Sequence, residues 1–355
     1  MNIAITVISA ILVFGFLIFI HEFGHYITAR LFKVSITEFS IGMGPRLLWY
    51  DSKKTGIRYS LAMLPIGGYV AMVGEDEASD DPNAFNKKPA WQRFIITAAG
   101  AAVNIIVGFI VMIILAAIVK IGGTTVYGEI ASEEFADTEG IVYDGSNSAE
   151  LILPGDVIKT VNGRRVVILD ELSYEVMRHG NEPMTLTVLR EGREVTLEGV
   201  VFPQMTSQGQ TFGLLNMRVY AIGDKGVLDV LKYSVRKCAL TVRTVWESLF
   251  DLITGRYSLA AVSGPVGISG AIGEAANAGI TSLMNIVVLI SINLGVMNLL
   301  PIPALDGGRL IIILFEMITR KNVPEKFERV VNGAGLAVLL LFSLLIMIKD
   351  VIQLF

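Results

Sequence analysis

Thiol and imidazole groups are scarce in this chain: its 355 residues include one cysteine, Cys238, and three histidines. A lone cysteine excludes an intrachain disulfide and a thiolate metal cluster. With so few histidines, a metal site with three protein ligands is expected to take a carboxylate. Charge is sparse too, since Asp, Glu, Lys and Arg make up 17% of the residues, against about 25% in soluble domains. Hydrophobic residues reach 53%, and the mean hydropathy is +0.61. That balance argues against one soluble globule and for membrane spans alternating with polar segments. The formal net charge of -4 averages over compartments, and no nucleic-acid partner is expected.

Two of the histidines stand together in His21-Glu22-Phe23-Gly24-His25. On a helix, positions i and i+4 share a face, so His21 and His25 can present two nitrogens to one metal ion. Glu22 is next to the first and can act as general base toward a water at that metal. His179 falls in a polar stretch and is expected at the surface. Ahead of the motif, Ile3 to Ile20 is almost wholly apolar and long enough to cross a bilayer. It lacks the basic flank and small-residue cleavage site of a signal peptide. A metal motif at the end of a span is the result.

Beyond Leu31 the chain changes character. Residues 36–41 and 57–64 read as short strands punctuated by turns at Gly42, Gly44, Gly67 and Gly68, and 75–84 as an exposed acidic loop. A second span runs from about Phe94 to Val119, with small residues for close helix packing and one polar residue, Asn104, suited to an interhelical hydrogen bond or to substrate contact. Residues 121–225 carry sixteen Asp and Glu against eight Lys and Arg and read as a small α+β domain, with a helix near 169–178 and a hairpin across Arg190-Glu191-Gly192-Arg193. From Gly226 to Thr254 an apolar stripe alternates with Lys232, Arg236, Lys237 and Arg243, as in a helix lying on the bilayer or on another part of the protein. A Gly- and Ala-rich stretch, 260–279, is expected to be a loop with a short helix. Spans three and four are expected near 280–300 and 333–348. Nine Lys and Arg lie in 21–93 and five in 309–329, whereas 121–225 is acidic. These counts put both basic segments in the cytoplasm and bring His21 and Asp306 to one membrane depth.

Asp306 follows Pro301 and Pro303 and precedes Gly307 and Gly308, where a helix must break. Alone it reads as a loop aspartate beside a span. With His21 and His25 short of a third ligand, it reads as that ligand, completing the two-His, one-carboxylate shell of catalytic zinc.

H-E-x-x-H at the end of a first span, and Asn298, Pro301, Pro303, Leu305, Asp306 and Gly307 near the end of a third, resemble the site-2 protease family. The likeness is closest to its bacterial regulated-intramembrane-proteolysis branch. Residues 36–73, with Gly42-Met43-Gly44 and Gly67-Gly68-Tyr69, resemble the family's re-entrant β-loop. Leu153-Pro154-Gly155-Asp156 to Gly163 resembles a PDZ domain, although Ser148 to Ile152 lacks the usual Ala-Gly-Leu run. The implied fold is a polytopic α-helical membrane protein with four transmembrane helices, a membrane-associated β-loop and one extracytoplasmic α+β PDZ domain. The expected segments are a first transmembrane helix with the motif (1–30), the β-loop and a cytoplasmic loop (31–93) and a second transmembrane helix (94–120). A PDZ domain (121–205), an amphipathic helix and linker (206–279), a third transmembrane helix with its loop (280–329) and a fourth (330–355) complete the chain.

The resemblance implies an intramembrane zinc endopeptidase of the bacterial cell membrane, its site toward the cytoplasm. His21, His25 and Asp306 would hold Zn2+, and Glu22 would be the catalytic base. Asn298, and with less weight Asn293, would contact substrate or the developing oxyanion. Implied partners are the lipid bilayer, single-span membrane substrates (anti-sigma factors or remnant signal peptides) and a peptide in the PDZ groove. The alternatives are a PDZ-bearing scaffold with a non-catalytic metal site, or a membrane-anchored peptidase acting on soluble substrates.

Overall fold

The computed structural model describes residues 3–75, 77, 79–129, 141–142, 145–179, 182–207, 210–221, 225–256, 262–321 and 323–352. Residues 76 and 78 of the acidic loop, 130–140 of the polar domain and 260–261 of the Gly- and Ala-rich stretch lie outside them. The chain divides into two units, residues 1–112 with 262–355, and residues 113–261.

Among the described residues, four helices are long and apolar enough to cross a membrane: α1 (Ile3–Leu31), α2 (Ala90–Ile118), α7 (Ile280–Asn298) and α9 (Glu325–Ile352). Large apolar side chains point outward along them, as at Ile106, Ile110 and Ile114 on one face of α2. A helix apolar on its outside belongs in lipid. Small residues mark where the helices meet. A Cβ on Gly295 of α7 would lie 2.8 Å from the Ala101 carbonyl of α2, and one on Gly108 would lie 2.8 Å from Ile292. Between those contacts Ser291 Oγ donates to the Asn104 carbonyl at 2.7 Å.

Between α1 and α2 the chain forms an antiparallel hairpin, β1 (Ile36–Asp51) with β2 (Arg58–Met72). Both strands outrun the short ones expected from sequence. Gly42, Gly44 and Gly67 do adopt positive φ, yet the pairing continues past them through repeated register shifts. The glycines relieve bulges instead of ending strands. Phe39, Ile57 and Val70 from the hairpin are buried with Ala29, Ile96 and Ile313. Glu38 is held inside the hairpin by Arg46, which donates from Nε at 2.8 Å and from Nη2 at 2.7 Å, and by Ser60 Oγ at 2.7 Å.

The second unit holds β3 (Gly122–Glu129), β4 (Ile141–Val142), α3 (Ser148–Leu151), β5 (Val157–Val161), β6 (Arg164–Arg165), α4 (Leu169–His179), β7 (Met184–Arg190), β8 (Arg193–Val200), β9 (Gln204–Ser207), β10 (Gln210–Gly213), β11 (Met217–Ala221) and α5 (Val227–Ile253). Its larger sheet runs β11-β3-β5-β7-β8 with β6 on β5, and a smaller one runs β10-β9-β4. Ile158, Leu172, Leu186, Val188 and Phe202 fill the core. The helix and hairpin expected near 169–178 and 184–197 are present. The cationic face of α5 lies on α4: Lys237 pairs with Asp170, Arg236 with Glu171 and Arg243 with Glu175. Of the two surfaces that the sequence allowed that face, it has taken the protein.

Back in the first unit, α6 (Pro265–Ala278) is a fourteen-residue helix, longer than the short one expected from its glycines. Its small residues let it lie close to α1, where a Cβ on Gly273 would meet Thr6 Oγ1 at 2.2 Å. A further helix, α8 (Asp306–Thr319), follows α7; its first turn, Asp-Gly-Gly, reads as a turn in the sequence.

Candidate active site

Helix α1 continues past its apolar stretch through the whole of His21–His25, which sets both imidazoles on one face. They meet edge to face, with centroids 4.9 Å apart. Helix α2 backs them at three successive turns. The Ile96 carbonyl accepts from His25 Nδ1 at 2.8 Å, and a protonated Nδ1 leaves the Nε2 lone pair free. Gly100 faces both rings, for a Cβ there would sit 2.3 Å from His25 Nε2 and 2.8 Å from His21 Cε1. Asn104 Nδ2 lies 3.3 Å from His21 Nδ1. Gly24 makes the approach possible from the other side, because a Cβ on it would meet the Ala99 carbonyl at 2.5 Å.

The third group arrives from the far end of the chain. After Asn298 the prolines forbid a continuous helix, and Ala304 turns the backbone at φ 72°. Leu305 is extended, and α8 begins at Asp306. The loop folds tightly over that first turn: a Cβ on Gly307 would lie 2.0 Å from the Leu300 carbonyl, and one on Gly308 would lie 2.5 Å from that of Ile302. Only glycine fits either position.

Asp306 Oδ2 is 3.3 Å from His21 Nε2 and 3.4 Å from His25 Nε2, and the two nitrogens are 3.3 Å apart. The three atoms make a nearly equilateral triangle. Around a tetrahedral zinc with bonds of about 2.0–2.1 Å, ligand atoms stand roughly 3.3–3.4 Å from one another. Oδ2 is buried and accepts no hydrogen bond of good geometry among the described residues. A carboxylate oxygen left so beside two imidazole nitrogens is costly unless a cation joins them. The donor set therefore fits zinc.

A cavity of about 630 Å³ opens on this triangle, lined by Glu22, by Gly68 to Met72 of β2, and by Glu75, Thr97 and Arg309. Gly68 lies close against Glu22, whose Cγ would be 3.0 Å from a Cβ there. Asn298 reaches the cluster, its Nδ2 being 3.5 Å from His21 Nδ1. Asn293 does not line this cavity and is exposed on α7. His179 lies in the second unit, 3.8 Å from Glu175. The Ile96 carbonyl and Gly100 were not legible as site groups, since neither a backbone carbonyl nor a missing side chain has a motif.

The family model of peptidase family M50 matches residues 9–342. The chain belongs to peptidase family M50. A protein of Clostridium acetobutylicum with a provisional zinc-metalloprotease name is 38% identical over 98% of this chain and 97% of its own length. Zinc metalloprotease RasP of Geobacillus kaustophilus is 29% identical over 99% of this chain and 98% of its own length. Regulator of sigma-W protease RasP of Bacillus subtilis is 28% identical over 99% of each chain. The M50 chain is thus a zinc metalloprotease of the site-2 protease family, and a membrane protein by family and by its four apolar helices.

Proposed function

We propose that this protease cuts transmembrane segments of single-span membrane proteins, anti-sigma factors or remnant signal peptides being the substrate classes. His21, His25 and Asp306 hold the zinc and Glu22 is the general base. The triangle of ligand atoms opening on a cavity walled by β2 carries this reading.

Bound zinc supplies Lewis acidity toward a water and the scissile carbonyl. Glu22 takes the proton from the attacking water and returns it to the leaving amine nitrogen. The Asn298 amide donates to the carbonyl oxygen as negative charge builds there. A helical substrate hides its carbonyls in its own hydrogen bonds, so it must unwind before attack. Gly68 to Met72 line the cavity beside Glu22 and offer backbone groups to an extended segment.

We read 31–93 as a re-entrant β-loop with a cytoplasmic loop, 121–205 as one extracytoplasmic PDZ domain, and the site as facing the cytoplasm. The basic residues flanking α1 and α8 and the acidic second unit support that orientation. The PDZ domain acts as a filter or a peptide-binding module for substrates. The test is to reconstitute the full chain in vesicles with a single-span substrate and map the cuts by mass spectrometry. Cuts inside the apolar segment, lost in Glu22→Gln, are expected. Cuts confined to soluble peptides would overturn the reading.

A further inference from the structure

His25 has its Nδ1 proton held by a backbone carbonyl of α2, whereas His21 meets a side chain there. Ile96, Gly100 and Asn104 are spaced four apart on one face of α2. The first binds His25, the second touches both rings, and the third meets His21. Asn104 is wholly buried, and its Oδ1 has no hydrogen-bond partner among the described residues. Its backbone carbonyl is tied to Ser291 of α7 at 2.7 Å, which fixes the residue where two helices cross.

With Nδ2 facing His21 Nδ1, the ring must carry its proton on Nε2. That proton would point into the triangle with His25 Nε2 and Asp306 Oδ2, where a metal needs a lone pair. Asn298 Nδ2 faces the same nitrogen at 3.5 Å, so two donors compete for one lone pair. An amide presents nearly the same shape when turned end for end, and its hydrogen bonds decide which end faces which neighbour. With the ends exchanged, the Asn104 carbonyl oxygen lies opposite Nδ1 and accepts its proton. The NH2 group then takes the oxygen's former, partnerless position. Two unpaired amide hydrogens in place of an unpaired oxygen are a smaller loss than that of a zinc ligand.

We infer that Asn104 is a positioning residue for the zinc site: its side-chain carbonyl holds the Nδ1 proton of His21 and thereby keeps Nε2 free for the metal. Helix α2 thus orients both histidines, one through backbone and one through side chain. The inference rests on His21 being a zinc ligand.

The test uses the full-length protein in detergent, with zinc content measured against a graded chelator. Asn104→Leu should weaken zinc retention by about 10–100-fold. Asn104→Asp, whose carboxylate can only accept from Nδ1, should hold zinc at least as tightly as the parent. Equal loss in both variants would mean that the residue only packs, and no loss in the leucine variant would remove its role; either overturns the inference. His21→Ala keeps the two levels apart. If it retains zinc, the ligand reading itself fails; if it loses zinc while Asn104→Leu does not, only the positioning role fails.

Discussion

Gly100 and His25 leave no room for a methyl group between them: a Cβ on Gly100 would stand 2.3 Å from His25 Nε2. Gly100→Ala is therefore expected to push the imidazole off the triangle. Overpacking of this kind costs about 1–3 kcal/mol, and here it falls on the proposed metal site. Zinc content per mole of protein should drop with it. Gly15→Ala on α1, where a Cβ meets nothing within 4 Å, is the control and should be neutral or stabilising by up to about 1 kcal/mol.

Glu22→Gln should separate binding from chemistry. Glu22 lines the cavity, but it is not among the three atoms of the triangle. Zinc content should stay at the parent's level while cleavage of a membrane-embedded substrate falls by about 10²–10⁴-fold. Unchanged cleavage would remove Glu22 from the mechanism.

Zinc should also act as a brace, because its expected ligands come from α1 and from α8. Stripping it with a chelator should lower the melting temperature, and adding it back should restore it. A metal at a hundred times its Kd contributes about 2.7 kcal/mol to the folded state. Asp306→Ala should melt at one temperature with or without zinc.

The second unit has its own acid sensitivity. Asp156 is buried, which raises its pKa, but hydrogen bonds from Arg190 at 2.8 and 2.9 Å and from the Leu153 N–H outweigh that and hold it below the ordinary 3.8. A carboxyl lowered on folding contributes stability that is full above its ordinary pKa and is lost as pH falls through the folded value. Protection factors for hydrogen exchange at β5 and β7, taken against the intrinsic rate at each pH, should fall as pH drops below about 4. Arg190→Leu should leave the carboxylate unpaired and cost about 3–5 kcal/mol at neutral pH, with a milder acid dependence.

Much of the site was legible because its geometry is local. His21 and His25 share a helical face by spacing alone, and Asp306 betrayed itself by prolines and glycines that no ordinary span end needs. The full β-hairpin is not legible in the sequence for the opposite reason: glycine marks a turn and a bulge alike, and only the partner strand decides between them. The sequence of α6 reads largely as loop because its small side chains serve contact with α1, which no local pattern records. The first turn of α8 hid within Asp-Gly-Gly. Asn104 was visible as a polar group in hydrocarbon, but its partner is 83 residues away, and pairing across that distance is decided by how two helices pack.

The separation of Asp306 from His21 also bears on the making of the protein. When the first helix enters the membrane, His21, Glu22 and His25 are already present, but the carboxylate proposed to complete their metal shell has yet to be translated. It arrives only after α2, the whole second unit and α7 have been made. On the proposed ligand set, a cell inserting this protease would handle an incomplete metal site for most of its synthesis, and full zinc binding would begin as one of the last steps of assembly.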